Sequence, residues 1–186
     1  HNLDVLVGYE GMTFKDQLLW GTKNKLFQGS VPELGNAILK PNTSSSTTKY
    51  STAGILAQVK YDYDSKYFGS VSFRRDASSR FHPDNRWGNF WSVGAGWSMN
   101  RESFLEDVEQ INMLKLKASF GAQGNDDLGN FYLYTDQYTI SENNGEFATT
   151  ISFKGNRDLT WETSYNFNAG FDFSFFDERL NGTIEG

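Results

Sequence analysis

Cysteine is missing altogether from this 186-residue chain and proline occurs three times. The first absence excludes disulfides, thiolate catalysis and sulfur-ligated metals, though it leaves the compartment open, because many exported bacterial proteins also lack cysteine. Long apolar runs are missing too: no stretch approaches the ~18 consecutive apolar residues of a membrane-spanning helix. Positive charge is in deficit, with 17 Lys and Arg against 23 Asp and Glu. Nucleic-acid binding needs a concentrated basic face, so no nucleic-acid partner is expected. Aromatics and glycine are plentiful instead: Phe 16, Tyr 9, Trp 5 and Gly 18. A compact soluble domain normally draws its core from Leu, Ile, Val and Ala, so this balance suggests apolar residues spread thinly over a large sheet.

Alternation with a period of two, the mark of a strand with one buried and one wet face, recurs along the chain. It is clearest from Thr160 to Phe176, where Trp161, Thr163, Tyr165, Phe167, Ala169, Phe171, Phe173 and Phe175 oppose Glu162, Ser164, Asn166, Asn168, Gly170, Asp172 and Ser174. Residues 53–63, 67–75, 87–99 and 114–120 repeat the pattern, Leu3 to Tyr9 opens the chain with it, and Leu180 to Ile184 closes on it. The expected fold is therefore all-β, with about seven antiparallel strands.

The connections alternate in length. Asp62 to Lys66 and Asp177-Glu178 read as tight turns, since Asp and Ser side chains bond to nearby backbone. Gly11 to Lys49, Asp76 to Arg86 and Ala122 to Leu159 read as long polar loops. Short turns at one end and long loops at the other is the plan of an outer-membrane β-barrel. The connection Asn100 to Asn112 looks helical, with Asn100 or Ser103 as a cap, Glu106 completing a capping box, and Phe104, Leu105 and Val108 as an apolar stripe. Aromatics fall at two levels, Tyr61, Tyr63, Tyr67, Trp97, Phe104, Phe173, Phe175 and Phe176 near the short turns and Trp87, Trp91 and Trp161 near the long loops, as expected of girdles at the headgroups. A soluble sandwich also alternates, and a small self-contained barrel of ~8 strands fits this length; both remain alternatives, the first as a sugar-binding module, the second with a structural or adhesive role.

Phe73-Arg74-Arg75-Asp76-Ala77-Ser78-Ser79-Arg80-Phe81, then Asn85-Arg86-Trp87-Gly88 and Val93-Gly94-Ala95-Gly96-Trp97, resemble the signature of the SusC/RagA family of TonB-dependent outer-membrane transporters. Leu114-Lys115-Leu116-Lys117-Ala118, Asp158-Leu159-Thr160-Trp161-Glu162 and Gly170-Phe171-Asp172-Phe173 follow in family order, so the likeness spans nearly the whole chain. Ala77 departs from the usual Gly, and Trp91 from a common Pro. The resemblance implies an internal section of a transmembrane barrel of about 22 strands around a plug, in the outer membrane of a Gram-negative bacterium. Plug, TonB box and final strands are expected to lie outside residues 1–186. It implies import of a bulky oligosaccharide or peptide, with a SusD-like surface lipoprotein, the TonB complex and outer-membrane lipids as partners.

No catalytic residue, metal ligand set or cofactor site is expected. His1 and His82 are isolated, Asp126-Asp127 and Asp62 with Asp64 suit turns as well as hard cations, and Gly121 to Asn125 lacks the following helix of a phosphate cradle. Lys60, Arg74, Lys115, Lys117, Glu162, Asn166, Asn168 and Asp172 are expected to face the lumen or plug. Arg75, Asp76 and Arg80 are expected at the extracellular end, as an ion-pair network or a lid contact, with Arg75 near the outer headgroups. Tyr132, Tyr134 and Tyr138 are candidates for stacking on sugar.

Overall fold

The computed structural model describes residues 1–27, 29, 31–105 and 108–186. Seven strands form one antiparallel meander: β1 (Asn2–Thr22), β2 (Asn42–Tyr63), β3 (Tyr67–Ser78), β4 (Trp87–Ser98), β5 (Ile111–Asn125), β8 (Glu162–Phe175) and β9 (Leu180–Glu185). A separate hairpin, β6 (Gln137–Asn143) with β7 (Glu146–Phe153), stands in the loop between β5 and β8. No helix among the described residues is long and apolar enough to cross a membrane.

Register carries the sequence alternation across the sheet. Val7 lies opposite Ala57, Ala57 opposite Phe73, and Phe73 opposite Trp91. Val71 meets Val93, Val93 meets Phe120, and Phe120 meets Phe167. These residues make one continuous apolar face with no second sheet upon it: Val7 is 71% and Phe167 66% exposed. That removes the sandwich, whose two sheets would cover each other. Tyr61, Tyr63, Tyr67 and Trp97 gather at the short-turn end of this face, and Trp87 and Trp91 at the long-loop end.

The opposite face is polar and unusually thin. Phe90 and Asp76 lie flat across the strands instead of standing upright, which glycine alone permits: a Cβ on Gly54 would collide with the Asp76 carboxylate, and one on Gly124 with the Phe90 ring. Such close approaches are a regular use of glycine in strands. Among the described residues few are buried, and several of these collect at the long-loop end: Phe81 and Ser78, which are wholly buried, with Ala77, Phe90 and Ala122.

Three expectations need correction. First, Gly11 to Lys49 is not a loop throughout. β1 and β2 remain paired from Asn2 with Asp62 to Thr22 with Asn42, whereas β3 accompanies β2 only as far as Ser78 opposite Thr52. A two-stranded hairpin therefore projects roughly 30 Å beyond the sheet. Here β1 changes face, with Met12, Phe14, Leu18 and Trp20 on the polar side and Thr13, Lys15 and Gln17 on the outer side.

Second, Asn100 to Asn112 holds a short 3-10 turn, Met99–Arg101, in place of the helical segment. Asn100 spends its side chain on Asn112 and Leu114 backbone rather than on a cap. Glu102 accepts hydrogen bonds from the Tyr67 hydroxyl at 2.6 Å and Trp97 Nε1 at 3.0 Å, which ties the turn to β3 and β4. Glu106 lies outside the described residues. Third, Trp161 leaves the girdle: its Nε1 donates to the Arg86 carbonyl at 2.8 Å and its ring packs on Phe81 and Phe90.

The Glu102 attachment has a pH signature. Hydrogen bonds from Tyr67 and then Trp97, with Lys66 nearby, hold the carboxyl below the usual carboxylate range. A carboxyl that is a stronger acid in the folded chain stabilises it fully above about pH 4.3, and that contribution fades as pH falls through the lower folded value. Protection of the amides in residues 99–105, measured against their intrinsic exchange rate at each pH, is expected to fall over that acid window in the native chain and to show no such step in Glu102→Gln.

Candidate functional site

The polar face is the candidate site, and two clusters organise it. Near the short turns, Lys117 bridges β8 and β9, pairing with Asp172 at 3.0 Å and with Glu185. Asp172 also accepts from Thr183 at 2.8 Å. Lys115 lies one register step away, its Nζ 4.0 Å from the centre of the Phe68 ring. Lys60, Asp4 and Asp62 close the same shallow concavity with Phe68, Gly94 and Gly96 on its floor. Asn166 and Asn168 continue this face along β8, both exposed, and Glu162 ends it, with Asn125 3.4 Å from its carboxylate. Mixed charges and amides, open to water on a wall of bare glycines, can hold a hydrated polar solute through many weak contacts.

At the long-loop end the charged residues are paired inward. Arg74 donates to both Asp76 oxygens, at 2.9 and 2.7 Å, and to Glu10 on β1 at 2.9 Å. Arg80 serves the neighbouring loop: Nη1 donates to the Asp126 carbonyl at 2.9 Å and to Asp127 at 2.6 Å, while its guanidinium caps the adjoining Tyr50 and Phe131 rings at 4.8 and 4.7 Å from their centres. The Asp126 carboxylate accepts from Tyr50 and from Ser78, each at 2.7 Å. A backbone hydrogen bond from Gly129, and then Arg80, hold the Asp127 carboxyl below the usual range. Asp126 and Asp127 are thus occupied in fastening the segment after β5 to the rim.

The signature arginines are divided by the pleat. Arg74 and Asp76 point inward and Arg80 sits in the rim, but Arg75 alternates to the apolar face and stands 5.2 Å over the Trp87 ring. Arg75 therefore stands on the other side of the sheet from Asp76. Among the loop aromatics, Tyr132 is a strut, accepting from the Lys49 amide at 2.8 Å, and Tyr134 meets His82 edge-on. Tyr138, on β6, is 59% exposed and available to a solute. Sequence reasoning missed Tyr50 and Phe131, which hold the Arg80 guanidinium, Tyr50 from just before the strand read at 53–63 and Phe131 from a segment read as loop.

A family model for the β-barrel of TonB-dependent receptor-like proteins matches residues 2–186. The chain belongs to that family. TonB-dependent receptor P39 of Formosa agariphila is 37% identical over 77% of this chain and 14% of its own length. TonB-dependent receptor SusC of Bacteroides thetaiotaomicron is 29% identical over 100% of this chain and 19% of its own. Among solved structures, the RagAB peptide importer in its closed-closed state superposes with a TM-score of 0.91 at 24% identity, covering 98% of this chain and 20% of that one. The RagAB peptide transporter gives 0.82 at 26% identity over 98% and 21%. The chain thus spans about a fifth or less of the length of these relatives. The family is one of TonB-dependent outer-membrane receptors, and the sheet is a section of such a barrel.

Proposed function

We propose that these strands are part of the wall of an outer-membrane active transporter that imports a bulky nutrient, an oligosaccharide or a peptide, using TonB energy and a SusD-like surface lipoprotein as lid. The observation that carries this reading is the division of the sheet into an apolar outer wall and a charged, glycine-floored inner wall. Transmembrane barrels share such a division, and what favours a transporter over a small structural or adhesive barrel is the likeness of these strands to about a fifth of SusC and of the RagAB peptide importer. The resemblance of the signature motifs to the SusC/RagA family and the likeness to SusC and to the RagAB peptide importer support it.

On this reading Lys60, Lys115, Lys117 and Asp172 contact the plug, or solute released past it. Arg74, Glu162, Asn166 and Asn168 line the upper lumen, and Tyr138 is the loop aromatic left free for solute. Asp76 and Arg80 shape the rim beneath the lid. Uptake of labelled oligosaccharides and peptides by cells carrying the full-length protein and its lid partner tests the proposal. Deleting TonB is expected to reduce uptake of the imported class to the level of cells lacking the transporter; uptake that persists without TonB overturns energised import.

A further inference from the structure

The charges on the sheet are sorted by face. Along the seven strands no Asp or Glu alternates onto the apolar face, and its charges are Lys15, Lys49 and Arg75. The strand acids, from Asp4 and Glu10 to Asp172 and Glu185, alternate to the opposite side. In a chain with net charge −6, an outer face bearing cations alone is a marked asymmetry. All three cations also lie toward the long-loop end.

Their placement adds a second point. Lys15 and Lys49 are direct cross-strand partners on the projecting β1–β2 hairpin. The neighbouring Thr13 and Ser51, whose hydroxyls meet at 3.1 Å, show that this pair of positions shares one face. Like charges directly opposite each other destabilise a strand pair. Both lysines are exposed, and among the described residues neither they nor Arg75 has a carboxylate within ion-pair distance. An anion between the two ammonium groups would turn their repulsion into attraction.

Height along the wall narrows the anion. Arg75 is level with Ile55, beside Trp87 and at the upper edge of the apolar belt, where a lipid headgroup phosphate sits. Lys49 is six positions further along β2, about 20 Å along the strand and, at the tilt of barrel strands, roughly 15 Å higher, beyond the reach of a simple phospholipid headgroup. We propose that Arg75, Lys15 and Lys49 form a two-level binding strip for a phosphorylated glycolipid of the outer leaflet, Arg75 taking phosphate at the headgroup and the lysine pair taking an anionic group in the saccharide above it. The strip rests on the barrel geometry and is independent of what the protein transports.

The test uses the full-length protein in detergent, titrated with purified phosphorylated lipopolysaccharide carrying its core saccharide, with a truncated form that keeps only the phosphorylated disaccharide headgroup, with enzymatically dephosphorylated material, and with inorganic phosphate. Lys15→Gln/Lys49→Gln is expected to weaken the core-bearing form about 30-fold, given the ordinary contribution of a basic residue near an anionic membrane surface, and to leave the truncated form unchanged. Arg75→Gln is expected to weaken both forms, whereas Lys60→Gln, on the opposite face, weakens neither. Heat-modifiable gel mobility verifies that each variant is a folded barrel. Equal binding by the double lysine variant and the native protein, equal binding of dephosphorylated material, or saturation by inorganic phosphate alone would each overturn the proposal.

Discussion

Phe81→Ala is expected to destabilise the extracellular rim by about 3–4 kcal/mol, the largest single effect from truncating an apolar side chain here. Phe81 has no exposed surface, and its ring supports Trp161, which in turn packs edge-on against Phe90. Alanine would leave a cavity beneath three segments at once: the β3–β4 loop, the start of β8 and the flat-lying Phe90. The Trp161 hydrogen bond to the Arg86 carbonyl depends on that packing. In the full-length protein, the loss should appear as faster amide exchange in residues 78–90 and 156–163, with the strands near the short turns unchanged. Unaltered exchange in those segments would show that the rim is held by its hydrogen bonds alone. Phe81→Leu, which keeps most of the volume, should lose less than half as much.

Arg80→Met is the second large effect, at about 2–3 kcal/mol, and it acts on attachment more than on folding. Methionine keeps an apolar stem beside Tyr50 and Phe131 but removes the charge that both rings attract and the N–H donors to Asp126 and Asp127. The segment from Asp126 to Asp136 should then loosen against β2 and β3, held there by Tyr132 on Lys49, by Tyr50 and Ser78 on Asp126 and by the Tyr50–Phe131 ring contact. Limited proteolysis of intact cells reads this directly, with cleavage within 126–136 expected in the variant and protection in the native protein. Arg80→Lys should lie between, because an ammonium restores charge but not the planar fork. Protection of the Arg80→Met segment equal to native would remove Arg80 from its role as clamp.

The strands of the meander were legible because a wall with lipid on one side and water on the other imposes a strict period of two, and each of the seven shows it. Legibility failed where that contrast fails. Past the end of β3 the β1–β2 hairpin continues alone, its apolar residues cross to the inner side at Met12 and Phe14, and Asn42 to Thr48 is polar on both faces, so the pairing left no stripe to follow. The β6–β7 hairpin did carry a signal. Asn144-Gly145, with φ of 53° and 86°, is the two-residue turn that hairpins favour, and Tyr138, Ile140, Phe147 and Ile151 share one of its faces. Between Asn100 and Asn112, local capping signals lost to partners distant in sequence, Tyr67 above all. Alternation within the signature was enough to put Arg74 and Arg75 on opposite faces, whereas the contacts of Arg80 with Tyr50, Phe131 and Asp127 join segments far apart in sequence and left no local signal.

The glycine floor of the inner wall has a consequence for how this sequence tolerates change over generations. On the outer face an exchange of Val for Ile, or Phe for Leu, alters a lipid contact and little else, so drift there is cheap. On the inner face a single added methyl group at Gly54 or Gly124 displaces Asp76 or Phe90 from its flat resting place and drives a large side chain upright into the bore. Substitutions that look equally mild on paper therefore meet opposite fates on the two sides of the same strand, and diversification of a wall like this one is expected to run along its outside and its loops.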